Sequence, residues 1–423
     1  MGAPPLNLPD APFPQKYSDF KTTWKNRATT IYVGANDGML HAVKDSDGKE
    51  GFSIVPKNLL GKLKELAKTH EFFVDSSPRA YDAFFGGAWR TVLVSGERGG
   101  GNYYFAVDIT DPSSPQVLWE WTDPAGRLGF TWSRPEIGWV RLNGQEKFVA
   151  FVGGGYSSTD NVGNTFYVVD IETGTKLRGF DVGDKSNKIP AGATAFDSDL
   201  DGRVNGVYFG DINGTLWKIK IDKEEDITNW QLIKLYEPAT KTPVFYPPAV
   251  TKNNQGKIMV YYGQGNELIL FEQTSDNSFF EVWDKGDSGQ MIWEEKLAKG
   301  EKVLAAPAVA NNVVYFTSWL YTGKAGDCGA GKGRLYGLTA TSQGSAGDIG
   351  ALVLDPLTGG KLGAPEKYID ITKYFPESKG IPSAPVVTNG MIYISTSLNA
   401  GQVITIPIPA WGAGKLKFWR EIF

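Results

Sequence analysis

The chain has 423 residues, a formal net charge of −4 and an isoelectric point near 5.5, a balance that argues against nucleic acid as a partner. Its one cysteine, Cys328, excludes an internal disulfide and a cysteine-based zinc site. No run of about 18 apolar residues occurs, so no transmembrane segment is expected.

Glycine (51 residues) and aromatic residues (13%) are abundant, which suits many short strands joined by tight turns around a bulky core. Residues 1–28 are proline-rich and read as a lead-in arm or linker ahead of a domain covering 29–423. Two phrases then recur along the chain. The first is a hydrophobic strand with an aromatic residue, as in Ile31-Tyr32-Val33-Gly34, Phe148-Val149-Ala150-Phe151, Val260-Tyr261-Tyr262-Gly263 and Met391-Ile392-Tyr393-Ile394. The second follows after a turn, as in Leu40-His41-Ala42-Val43, Phe166-Tyr167-Val168-Val169, Leu268-Ile269-Leu270-Phe271 and Leu335-Tyr336-Gly337-Leu338.

The pair occurs seven times. Most copies are preceded by a proline-marked strand such as Pro248-Ala249-Val250, and several are followed by a strand with tryptophan, such as Val117-Leu118-Trp119 or Phe280-Glu281-Val282-Trp283. Four antiparallel strands per copy make a blade, and seven blades make an all-β, seven-bladed β-propeller.

Other segments fall between these strands. Pro56 to His70 carries Leu59, Leu60, Leu63 and Leu66 at helical spacing and reads as a short helical insertion over about 56–70. Gly96 to Asn102 is glycine-rich but leads into a strand, so no helix N-terminus is available there for a phosphate; it reads as a loop. Residues 318–334, which include Cys328, read as a long turn. Of the two histidines, His41 is expected to be a hydrogen-bonded core residue and His70 to end the helix, where a cation suits the dipole.

The densest chemistry lies in Asp197-Ser198-Asp199-Leu200-Asp201-Gly202-Arg203-Val204-Asn205. The spacing is the first part of an EF-hand calcium loop. Asp197, Asp199 and Asp201 would supply carboxylates, Gly202 the sharp turn, Arg203 its main-chain carbonyl and Asn205 a side-chain oxygen. The twelfth position is Tyr208 where an EF-hand has a bidentate glutamate, and Val207-Tyr208-Phe209 reads as a strand. The expected site is therefore a calcium loop set between strands, with water completing the shell. A solvated acidic turn is the alternative, although three crowded carboxylates repel one another unless neutralised. Asp45-Ser46-Asp47-Gly48 and Asp284-Lys285-Gly286-Asp287 lack the rest of such a ligand set and read as hairpin turns.

Several stretches together resemble the C-terminal domain of the PilC/PilY family of type IV pilus biogenesis and adhesion proteins. They are Tyr32-Val33-Gly34-Ala35-Asn36-Asp37-Gly38-Met39-Leu40-His41, Phe73-Val74-Asp75-Ser76-Ser77-Pro78, Val107-Asp108-Ile109-Thr110-Asp111-Pro112, the aspartate loop running into Tyr208-Phe209-Gly210-Asp211-Ile212-Asn213-Gly214-Thr215-Leu216-Trp217, and Trp419-Arg420-Glu421. The resemblance implies a non-enzymatic, calcium-binding propeller that works through protein contacts. The partners it implies are minor pilins at the pilus tip and host or abiotic surfaces. It further implies calcium control of pilus extension and retraction, hence of twitching motility. A bacterial surface, pilus-tip or outer-membrane location follows, with export directed by a signal on a longer protein and this chain a monomer. Asn205 stands where the family usually has aspartate, which should weaken calcium binding or shift its range. No Arg-Gly-Asp tripeptide occurs.

Two other readings use the same features. Asp170-Ile171-Glu172-Thr173-Gly174 and Asp355-Pro356-Leu357-Thr358-Gly359 resemble repeats of quinone-dependent dehydrogenases, whose adjacent cysteine pair this chain lacks. An integrin-α-like adhesive propeller with purely structural calcium also places such loops between blade strands, but in several copies.

Overall fold

The computed structural model describes residues 1–221, 226–323, 331–339, 368–375, 378–398 and 403–408. Cys328, the Asp355–Gly359 repeat and the Trp419–Glu421 ending lie outside them. Among the described residues seven sheets form in chain order, each of three to five strands. All seven copies of the first phrase are strands: Thr30–Gly34, Ala88–Gly96, Gln145–Val152, Gly206–Gly210, Ile258–Gly263, Val313–Tyr321 and Met391–Ile394.

The second phrase is misplaced once. Leu268 and Ile269 belong to a 3-10 turn, Glu267–Ile269, and the strand comes later, at Ser278–Asp284. Phe280–Trp283 is therefore the third strand of its sheet, and Gly289–Lys296 is the outer one. The cause is the Asn266 side chain, which accepts the Leu268 N–H and caps a turn where hydrophobicity alone suggests extension. Within the long turn expected over 318–334, residues 318–321 and 331–334 are strand instead. Val313–Tyr321 and Gly331–Thr339 pair in register from Val313↔Thr339 to Tyr321↔Gly331, so Gly331 and Gly333 pair as backbone. The insertion over 56–70 is wound as a 3-10 helix, Lys57–Ala67, and His70 lies beyond its end.

The chain divides into two compact units, one of Met1–Tyr208 with Lys218–Leu232 and the other of Phe209–Trp217 with Ile233–Phe423. In the first, successive side chains of a strand point to opposite faces, and both faces find a neighbour. On Ala88–Gly96, Val92 and Val94 join a cluster with Trp139, Phe148 and Tyr167 of the next sheet, while Leu93 joins one with Leu40, Phe73 and Val74. Trp119 Nε1 donates to the Ile171 carbonyl at 2.8 Å. It sits over Gly174 (φ +69°), whose hypothetical Cβ would come within 2.7 Å of Trp119 Cγ. Asp170 Oδ1 accepts the N–H groups of Glu172 and Thr173. The Asp-to-Gly motif is accordingly a turn with a tryptophan resting on it.

The second unit uses the same alternation. Val314 and Phe316 pack with Met259, Tyr261 and Phe279, whereas Val313 and Tyr315 pack with Ile392 and Ile406. Phe279 and Phe316 stack with ring centroids 3.8 Å apart.

His41 does not belong to the core. Leu40 and Ala42 are buried, so His41 faces the other way, held by Glu50 (2.6 Å) and Asp37 (2.9 Å). Its hydrogen bond to Glu50 and the nearby negative charge raise its pKa.

The lead-in arm is packed. Tyr17–Thr23 is a short α-helix, and Phe13, Tyr17 and Phe20 are buried in the Trp89–Trp139–Phe148 cluster. Tyr17 Oη donates to the buried carboxylate of Asp82 at 2.7 Å. The Phe13 ring lies 4.7 Å from that of Trp89 and 5.0 Å from that of Trp139. Phe13→Ala should destabilise the fold by about 3–5 kcal/mol, read as a lower midpoint in urea unfolding.

A second test lies in the other unit. Glu281 is fully enclosed and accepts the Tyr261 hydroxyl at 2.8 Å, with Oε2 unpartnered. Burial raises its pKa from 4.5 to about 7. The folded chain therefore keeps a proton that the unfolded chain loses, and stability falls as pH rises from about 4.5 to about 7. Glu281→Gln should remove about 3 kcal/mol of that slope, seen by comparing unfolding free energies of the variant and wild type at pH 5 and 8.

Candidate metal centre

The Asp197–Asn205 loop joins strand Thr194–Phe196 to strand Gly206–Gly210, which pair antiparallel. Short strands fix the loop's two ends, so nine residues must double back within the width of one strand pair. Two backbone positions allow this, Leu200 (φ +65°) and Gly202 (φ +94°). At Gly202 more than φ is at stake, because a Cβ there would meet Trp139 Cζ3 at 2.6 Å and Pro9 Cδ at 3.5 Å. The arm and the third sheet together close over the turn.

Among the described residues, Asp197, Asp199 and Asp201 are the one group of three or more acidic, histidine or cysteine side chains placed to share an ion. Their ligand oxygens all lie within 4.8 Å of one another, with Asp197 half-buried and the other two exposed. Asp197 accepts the N–H groups of Leu200 (2.6 Å) and Gly202 (2.7 Å), one on each oxygen. Burial, more than the neighbouring Asp199 and Asp201, pushes the Asp197 carboxyl above its ordinary pKa. A cation among the three would relieve that cost, and an all-oxygen donor set suits calcium.

Asn205 is drawn into the loop. Its Oδ1 accepts the Ser198 N–H at 2.7 Å and its Nδ2 donates to Asp199 at 2.8 Å. The Arg203 side chain, whose main-chain carbonyl is the expected ligand, is held across the loop. It pairs with Glu146 through Nη2 (2.8 Å) and Nε (3.1 Å), reaches Asp201 at 3.3 Å, and lies over the Trp139 ring at 4.7 Å. Trp139 Nε1 also donates to Glu146, at 2.7 Å. Backbone bonds from Val204 N–H to Trp139 O (2.8 Å) and from Asn205 N–H to Phe196 O (3.1 Å) complete the anchoring.

Glu146 and Trp139 were missed in the sequence. Glu146 is 57 residues from Arg203, and no spacing rule connects a carboxylate in one hairpin to an arginine in another. An open depression of about 860 Å³ is lined by Arg178, Phe180, Asp181 and Thr228–Leu232, and takes no residue from the loop.

Gly202→Ala should strain the turn and press against Trp139, costing about 1–3 kcal/mol of stability. Thermal unfolding should show that loss, and Gly48→Ala, with nothing within 4 Å of its Cβ, should lose less.

The PilY1 beta-propeller domain matches residues 7–229. The type IV pilus biogenesis factor PilY1 of Pseudomonas aeruginosa is 39% identical over 215 residues, covering 48% of this chain and 18% of that protein. A PilY1 homolog of Xylella fastidiosa is 28% identical over 465 residues, covering 96% of this chain and 36% of that protein. The chain thus spans about a fifth to a third of the length of these curated relatives. The solved C-terminal domain of Pseudomonas aeruginosa PilY1 superposes with a TM-score of 0.70 at 22% identity, covering 93% of this chain and 95% of that one. The seven sheets are the blades of that fold, and the chain belongs to the PilY1 β-propeller domain family.

Proposed function

We propose that the chain is a non-enzymatic, calcium-binding propeller domain of a type IV pilus biogenesis factor, acting through protein contacts. The observation that carries the calcium reading is the convergence of Asp197, Asp199 and Asp201 on one short turn between two strands. Bound calcium would supply the positive charge that three adjacent carboxylates need. Asp197, Asp199, Asp201, the Arg203 carbonyl and Asn205 would hold it. Glu146 and Trp139 hold one side of the Arg203 guanidinium, while its Nη1 reaches Asp201 at 3.3 Å and would give up that contact to the ion. Without the ion the carboxylates repel, and the loop, tied to Phe196 and Trp139 by its backbone, loosens at its Leu200 tip, which is 62% exposed.

In the pilus, this order–disorder change would bias contacts with minor pilins or with the attachment surface, and so the balance of extension and retraction. The relatives are named as biogenesis factors, which supports a role outside catalysis and a location at the pilus or cell surface.

Asp201→Ala should reduce the calcium-dependent rise in melting temperature. Occupancy of the loop alone corresponds to about 2.7 kcal/mol at a calcium concentration a hundred times its Kd. An unchanged rise in the variant would contradict the site. The same substitution in the full-length protein should alter piliation or twitching. Normal motility together with lost calcium binding would assign the ion a purely structural role.

A further inference from the structure

A group of buried oxygens without well-aligned hydrogen-bond partners lies apart from the aspartate loop. Glu97 directly follows strand Ala88–Gly96 and is fully enclosed, at 0% exposure. Its backbone is fixed: its N–H donates to Thr131 Oγ1 (2.7 Å), and its carbonyl accepts from Gly100 (2.8 Å) and Asp75 (3.2 Å). The carboxylate is not held in this way. Neither oxygen meets the distance and angle of a hydrogen bond, although the Asn58 side chain and the Tyr103 N–H lie close enough to favour the ionised form; the buried Oδ1 of Asn58, on the 3-10 helix Lys57–Ala67, likewise has no partner.

The surroundings also add negative charge. Glu120 lies near enough to repel Glu97, and its own oxygens accept the Lys57 and Asn58 N–H groups at 2.5 and 3.3 Å. Lys62 is the cation of the group, but its ammonium is committed to the carbonyls of Phe72 (2.7 Å) and Gly100 (3.2 Å). Room for the carboxylate comes from Gly101, where a Cβ would stand 1.9 Å from Glu97 Oε2.

An ionised carboxylate left in this state costs several kcal/mol. Burial first, and Glu120 with it, pushes the Glu97 pKa up to about 7. Three buried oxygens that no well-aligned donor satisfies suit a hard cation. We propose that Glu97 and Asn58, with Glu120 nearby, form a second cation site that takes a divalent ion of the calcium type and ties the Lys57–Ala67 helix to the Glu97–Asn102 loop. The site is independent of the aspartate loop.

Calorimetric titration of the full chain with calcium chloride at pH 8 tests this. Wild type should bind two ions, Asp201→Ala one, Glu97→Gln one, and the double variant none. Gly101→Ala, which presses a methyl group on the carboxylate, should also lose the second ion. Glu97→Gln should melt no lower than wild type in chelator, because it replaces a buried charge with an amide; this separates a lost site from a lost fold. One ion in wild type, lost in Asp201→Ala, would overturn the proposal, as would unchanged stoichiometry in Glu97→Gln. A count that falls with Glu97→Gln but not with Asp201→Ala would instead support the second site and overturn the loop reading.

Discussion

Among the described residues, central strands such as Ala88–Gly96, Gln145–Val152 and Val313–Tyr321 bury both of their faces, and much of the structure follows from that constraint. On Val313–Tyr321 the even and odd residues enter two different clusters. On Ala88–Gly96 the same split sends Val92 and Val94 one way and Leu93 the other. A one-residue slip would exchange the two sets, so register is strongly specified. Because the frames hold their positions, the turns between strands can carry strained or charged residues.

The aspartate loop shows what this rigidity provides. Its ends are pinned by paired strands, and its middle is held by Gly202 against Trp139. Arg203 is stacked on that same indole and bonded to Glu146. The three carboxylates are therefore held together although they repel one another, with loop N–H groups, Asn205 and Arg203 donating to them. The arm contributes as well, since Phe13 packs on Trp139 and Pro9 lies close to Gly202.

Most of the framework was legible in the sequence because strand alternation is local. The seven hydrophobic-aromatic phrases could be located without any long-range information, as could the aspartate spacing and the Asp170–Gly174 turn. The errors arose where local chemistry competed with hydrophobicity. Asn266 capped a turn through a segment, Leu268–Phe271, that looked extended. Glycines between Tyr321 and Arg334 looked like a loop but include Gly331 and Gly333, which pair across a hairpin. His41 was assigned to the core from its apolar neighbours, although alternation puts it on the face opposite theirs. The supports of the loop, Glu146 and Trp139, were not legible at all, because they meet Arg203 only through the packing of separate hairpins.

The central claim is that the aspartate loop holds calcium through protein oxygens, and crystals grown in calcium test it most directly. The account predicts a density peak at about 2.3–2.6 Å from oxygens of Asp197, Asp199, Asp201 and the Arg203 carbonyl, with Arg203 still on Trp139. Carboxylates splayed into solvent around an empty loop, at calcium concentrations that stabilise the protein, would contradict it.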